Sequence, residues 1–259
     1  MDIVLRDRFT ALWQKYFPGA ELPITLEFRK DSSNVQKVPP PEGWSCLICQ
    51  INRVRKGTPL VFDASSISCP GGLMHAGYST KRPPEFRHFL SYGKPGVLEG
   101  ERYKMTPEIV DAWEKTIPEF SSAGKEMHFT RWDQLAEADS PDVVIFFARP
   151  EVLSGLFTLA NYDSSDPNGV ICPMGAGCSS IISYPVLEGQ KQEDEPKVVL
   201  GIFDPSARPC VPLDVLSMAF PMKRFEKAVG YMEESFLSTK TWTRVQKKIE
   251  RSAALYRKG

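Results

Sequence analysis

The sequence has no excess charge of either sign: 32 lysines and arginines stand against 32 aspartates and glutamates. A chain that holds nucleic acid or an acidic membrane surface by bulk electrostatics needs a basic surplus. The aromatics are interleaved with acids as much as with bases, so no nucleic-acid partner is expected. No apolar run approaches the roughly 20 residues that cross a bilayer. The opening residues, Met1-Asp2-Ile3-Val4-Leu5-Arg6-Asp7-Arg8, mix acids and bases and lack the apolar core of a signal peptide. A cytoplasmic protein without a membrane partner is therefore expected. Histidine is scarce: His75, His88 and His128 are all there is, and no His/carboxylate spacing suits a metal. A Ser-His-Asp constellation, a P-loop and a dinucleotide fingerprint are all missing.

What the chain does have is six cysteines in 259 residues. In a reducing compartment these are expected as free thiols or ligands rather than disulfides. Two lie in glycine-bearing loops. The first, Ser66-Ile-Ser-Cys69-Pro-Gly71-Gly72-Leu-Met-His75-Ala-Gly77-Tyr78, follows the strand-like run Leu60-Val61-Phe62. The second is Cys172-Pro-Met-Gly175-Ala-Gly177-Cys178-Ser-Ser. Glycine lets backbone approach a neighbour or a ligand closely, so these two loops mark the expected site.

The remaining pattern mixes both periodicities. Residues Asp2 to Phe17 carry an apolar stripe of period 3.6, ended by Pro18-Gly19. Helices are also expected over Ser45–Arg55, with Cys46 and Cys49 on neighbouring turns, and over Pro84–Tyr92, Thr106–Thr116, Glu151–Asn161, Met222–Glu234 and Lys240–Tyr256. Thr106-Pro107-Glu108 is a clear start, a hydroxyl cap with proline in the first turn. In the last helix Trp242, Val245 and Ile249 form the apolar stripe, and the basic residues are a solvated face. Strands are expected at Pro23–Phe28, Leu60–Phe62, Met127–Trp132, Asp142–Ala148, Lys197–Phe203 and Met218–Phe220. Asp142-Val-Val-Ile-Phe-Phe-Ala148 is apolar on both faces and should be central. Loops are expected at Lys30–Gly43 and Glu188–Pro196. No long linker divides the chain, so residues 1–259 are read as a single compact α/β (or α+β) domain with a central mixed sheet flanked by helices.

One internal echo stands out. Phe62-Asp-Ala-Ser leads to Cys69, and Phe203-Asp-Pro-Ser leads to Cys210, both as Phe-Asp-x-Ser-x-x-x-Cys after a strand. So short a match arises readily by chance, and a repeat normally needs more copies.

The order Trp44-Ser-Cys46, Cys69-Pro-Gly-Gly72, Glu99-Gly-Glu-Arg-Tyr103, Leu153 to Tyr162, Gly175-Ala-Gly-Cys178-Ser-Ser, Asp204-Pro-Ser-Ala-Arg208 and Ser235-Phe-Leu237 with Trp242 resembles the DUF169 family of archaeal and bacterial proteins. The resemblance runs from Pro23 to the last helix and implies one compact domain. It carries no settled activity. Where other members more often show Gly-Cys-x-Gly-x-Arg, this chain has Ala207-Arg208-Pro209-Cys210. The departure leaves Cys46, Cys69 and Cys178 as the best-matched cysteines.

Three kinds of chemistry suit these residues. Thiolates are soft ligands for iron–sulfur clusters, Zn and Cu(I), so Cys46, Cys69 and Cys178 can converge on a cluster or metal, with Cys49 or Cys172 as a fourth ligand. Three cysteines alone would leave one iron open to a small molecule. The plain alternative is that the thiols are small buried hydrophobes. Thiol catalysis is a second option, since a helix N-terminus favours thiolate at Cys69 or Cys178. His75 would then be the nearest base. Third, Gly71, Gly72, Gly175 and Gly177 can present backbone donors to a phosphate or carboxylate, with Ser206 nearby and Arg208 pairing bidentately. The leading expectation is a cysteine-centred site for an iron–sulfur cluster or metal, working with a small-molecule or redox partner. The alternative is a non-redox module for a small anion or metabolite, with structural cysteines.

Overall fold

The computed structural model describes residues 1–30, 37–122, 124–192 and 195–256. In chain order the elements are α1 (Ile3–Tyr16), β1 (Ile24–Arg29), α2 (Leu47–Arg55), β2 (Leu60–Phe62), α3 (Pro70–His75), α4 (Phe86–Phe89), β3 (Gly93–Lys94), β4 (Leu98–Glu99) and α5 (Pro107–Glu114). Then follow β5 (Glu126–Arg131), β6 (Val143–Ala148), α6 (Pro150–Ala160), β7 (Val170–Ile171), α7 (Gly177–Ile181), α8 (Ser183–Gln190), β8 (Val198–Gly201), β9 (Leu216–Pro221), α9 (Met222–Tyr231) and α10 (Lys240–Tyr256).

Seven strands form one sheet in the order β2-β5-β1-β6-β9-β8-β7, and β3 pairs with β4 in a separate hairpin. The sheet is mixed. β7 runs parallel to β8, and the other neighbours are antiparallel. β6 is the middle strand and every one of its residues is buried, as its apolar run requires. Its side chains alternate between two cores. Val143, Ile145 and Phe147 join Ile24, Leu26 and Phe129 beneath α2, α7 and α8. Val144, Phe146 and Ala148 join Met218 and Phe220 beneath α1, α6 and α9. The arrangement is a sheet with helices on both faces, α/β as expected.

The second core is built on aromatics. Phe146 lies 5.0 Å from Trp13 and 5.6 Å from Phe220 between ring centroids, with Phe9 and Phe225 on the same cluster. Trp242 of α10 reaches it through Phe17, 6.0 Å away. The first core is aliphatic and holds Cys178 and Cys210, with Cys46 packed against it.

Several boundaries differ from the sequence reading. α2 begins two residues later than expected, because Ser45 and Cys46 are still extended, with Cys46 in the N-cap position. α4 spans four residues of the nine expected, after Glu85 in a left-handed conformation. α8 runs through Glu188, so the expected loop from Glu188 begins only after Gln190. Glu188 belongs to this helix because Lys191 and the Lys197 N–H both donate to its carboxylate. Of the expected loops, the 31–36 part of Lys30–Gly43 and residues 193 and 194 of Glu188–Pro196 lie outside the described residues.

Phe146→Ala is expected to cost about 3–5 kcal/mol, because it opens a void among four aromatic rings. Leu213→Ala, at a side chain 93% exposed, should change stability by less than about 0.5 kcal/mol. Urea denaturation of both variants measures the difference. A small loss in Phe146→Ala would show that the cluster collapses around the gap.

Candidate functional site

Three cysteines stand at the starts of three helices on one face of the sheet. Cys46 is the N-cap of α2 and Cys69 the N-cap of α3, where Pro70 fills the first helical position. Cys178 is the second residue of α7. None of these helices has a side-chain cap. The helix starts are held together directly. The Ser45 N–H donates to Ser68 Oγ at 2.9 Å, tying the residue before Cys46 to the residue before Cys69.

Gly177 shows how closely α7 approaches. A Cβ at this position would meet Ala207 Cβ at 2.7 Å and Ile48 Cγ1 of α2 at 3.5 Å. Gly72 is similarly crowded, at 3.0 Å from Ile67 Cγ2 and 3.9 Å from Leu47 Cβ. A Cβ on Gly71 would meet only Cys69 Sγ, at 3.9 Å, and one on Gly175 would meet Ser179 Oγ at 2.5 Å. The glycines thus let helix starts pack against one another.

Cys178 is buried, and burial pushes its thiol well above the ordinary range; Cys46, Cys69 and Asp204 act on it in the same direction. This reverses the expectation of an activated thiolate at Cys178. The short α7 offers little dipole, and its first N–H, that of Gly177, already donates to Asp204 Oδ2 at 3.0 Å. Cys69 and Cys178 lie outside the group of three cysteines whose sulfurs are within 4.8 Å of one another among the described residues.

Cys49 and Cys210 are joined in a disulfide. This corrects the expectation of free thiols or ligands for Cys49 and Cys210 alone; Cys46, Cys69, Cys172 and Cys178 are free as expected, and Cys49 is not a free fourth ligand. The physical reason is packing. The turn Arg208–Cys210 lies against α2, where Asn52 donates to the Cys210 carbonyl. The sulfurs of Cys46, Cys49 and Cys210 all lie within 4.8 Å of one another. Cys210, which the family comparison of motifs had left without a role, is therefore at the centre of the site. Cys172 is exposed and lines a separate cavity of about 250 Å³ with Gly175, Ile202 and Asp204.

The donors expected for an anion are engaged within the chain. Arg208 donates to four backbone carbonyls: Val215 at 2.7 Å, Leu213 at 2.8 Å, Pro212 at 3.0 Å and Ile202 at 3.4 Å. Ser206 donates its hydroxyl to Asp204 at 2.8 Å. The Phe-Asp-x-Ser echo is one local structure used twice. Asp63 Oδ1 accepts from the Ser65 N–H at 2.9 Å, and Asp204 Oδ1 accepts from the Ser206 N–H at 3.0 Å. Each turn then delivers a cysteine, Cys69 or Cys210, toward α2.

His75, at the end of α3, is buried with Nδ1 3.5 Å from Ser183 Oγ. Burial, helped by Arg82 and opposed by Asp204, lowers its pKa from 6.5 to about 4. It is a neutral imidazole lining a cavity of about 850 Å³ with Arg82, Glu114, Ser183 and Tyr184. His128 pairs with Glu126 at 2.9 Å within β5, and His88 faces Glu85 at 4.0 Å.

These cysteine-bearing blocks lie inside the match to one family model, described as uncharacterised ArCR, DUF169, which covers residues 19–230. The chain belongs to the DUF169 family. No curated protein and no solved structure gives a significant match. What the family contributes is the sequence framework, and the site is read from its geometry.

The depressed His75 predicts a pH dependence. Below pH 6.5 the unfolded chain takes up a proton that the folded chain refuses until about pH 4. Stability therefore falls as pH drops through that window, by on the order of 3 kcal/mol, and this contribution is constant above and below it. Urea titrations from pH 4 to 7 should show a shallower slope for His75→Gln than for the parent. Equal slopes would assign the pH dependence to other groups.

Proposed function

We propose that this DUF169 protein is a cysteine-centred cofactor-binding protein, with Cys46, Cys69 and Cys178 as ligands of an iron–sulfur cluster or another soft metal, and with a redox role. The observation that carries this reading is the gathering of the Cys46, Cys49 and Cys210 sulfurs within 4.8 Å of one another, with Cys69 and Cys178 at two further helix starts. Cysteines far apart in sequence stand at the starts of three helices.

The chemistry supports a cation there. A lone buried thiol stays protonated, because desolvation penalises thiolate. A bound metal inverts that logic and deprotonates a coordinating thiol outright. Three thiolates leave a metal position open to a small molecule, and the cavity lined by His75 lies at the far end of α3 from Cys69. His75 is neutral, so it offers that cavity a hydrogen-bonding imidazole. The small-anion alternative draws no support from Arg208 and Ser206, whose donors are engaged internally.

Anaerobic purification followed by a visible spectrum with iron and acid-labile sulfide analysis tests the reading. Broad visible absorbance with stoichiometric iron and sulfide is expected. Cys69→Ala and Cys178→Ala should abolish it while circular dichroism stays unchanged. A protein that remains colourless after reconstitution with iron and sulfide under reduction, and binds no Zn²⁺, overturns it.

A further inference from the structure

Cys46 lies within 4.8 Å of both sulfurs of the Cys49–Cys210 disulfide. A thiol held beside a disulfide can exchange with it by attack on sulfur. The sequence context favours one partner. Cys46-Leu47-Ile48-Cys49 places the two cysteines at the N-cap and third position of α2, on the same turn, where side chains three apart are neighbours. Cys-x-x-Cys at a helix start is a recurrent arrangement for reversible thiol–disulfide chemistry.

We infer that Cys46 and Cys49 form a redox-active dithiol and that Cys210 is its third, buried thiol. In the exchange step Cys46 gives up its proton and its sulfur attacks Cys49 Sγ. The Cys46–Cys49 bond forms as the Cys49–Cys210 bond breaks, and Cys210 leaves as thiolate and takes up a proton. One disulfide exists before and after, so no oxidant or reductant is consumed. Full reduction instead needs an external dithiol. It transfers two electrons and two protons to the protein and is itself oxidised to a disulfide.

The exposures match these roles. Cys49 is exposed, Cys46 is half-buried and Cys210 is buried, so Cys49 carries the sulfur that an external dithiol reaches. Cys210 stays in place when released, because Asn52 of α2 holds its carbonyl and Arg208 fixes the loop around it. The step is therefore reversible. It also has a consequence that rests on the cofactor reading above. Cys46 is shared between the two sulfur sets, so bridging it to Cys49 withdraws one of the three ligands. The disulfide pattern then sets the capacity of the site for a metal.

The test needs no cofactor. The full chain is equilibrated anaerobically in dithiothreitol buffers of graded oxidised-to-reduced ratio, acid-quenched, alkylated and digested with trypsin. At intermediate ratios the peptide from Val38 to Arg53 is expected to appear lighter by the two hydrogens of an internal Cys46–Cys49 bridge, with Cys210 alkylated. In Cys210→Ser the same bridge should form quantitatively on mild oxidation. Cys46 alkylated at every ratio in the parent overturns the inference, whether or not the variant folds. The cofactor reading fails separately, through absence of metal uptake by fully reduced protein. A mapped Cys46–Cys49 bridge in a chain that takes up no iron keeps the dithiol and removes the cluster.

Discussion

The constraint on which the rest depends is the burial of β6 on both faces. Six consecutive buried residues, Val143 to Ala148, cannot remain in water on either side, so the strand demands a helical layer above and below. The two layers meet that demand differently. Phe146 faces a dense aromatic cluster from α1 and α9. Phe147, Ile145 and Val143 face aliphatic helices whose N-terminal ends carry cysteine. Cysteine suits that position as a small apolar group, and the same placement puts thiols where three helix starts meet. Packing and chemistry are thus two uses of one arrangement.

The energetic character of the site follows from its dryness. Buried among Ile48, Ala207 and Ile202, α7 can come close only because Gly177 lacks a side chain. The same closeness excludes water from Cys178 and raises its pKa. The buried Cys178 thiol is a neutral packing group, and the metal proposed above would release its proton on binding.

Much of the fold was legible in the sequence. β6 announced itself by a run apolar on both faces, and α5 by Thr106 and Pro107, whose cap is observed at 3.3 Å to the Ile109 N–H. α10 kept its expected bounds. The failures have physical causes. α8 was hidden because Pro185 and Gly189 interrupt its pattern, although proline is tolerated in a first turn. The disulfide was missed because its partners lie 161 residues apart and compartment reasoning argued against it. A signal for Cys210 did exist. The Phe-Asp-x-Ser turn placed it at the same offset as Cys69, and the recurrence of that turn in the structure shows that the echo encoded position rather than ancestry alone.

The loop from Ile202 to Val215 links the start of α7 to the disulfide. Ile202 is buried with φ +64°, a conformation costly for a β-branched residue, on the order of 1–3 kcal/mol. It persists because its N–H donates to Ser180 Oγ at 3.3 Å, its carbonyl accepts from Arg208, and its side chain fills the space beside Gly177. From that turn Asp204 reaches the start of α7, and six residues later Cys210 reaches α2. Arg208, with four carbonyls on one guanidinium, makes the intervening segment rigid. One stiff loop therefore accepts the N–H of Gly177, the residue before Cys178, through Asp204 at one end and bonds Cys49 at the other. The disulfide and the start of α7 are thus both fixed to a segment that has little freedom to shift.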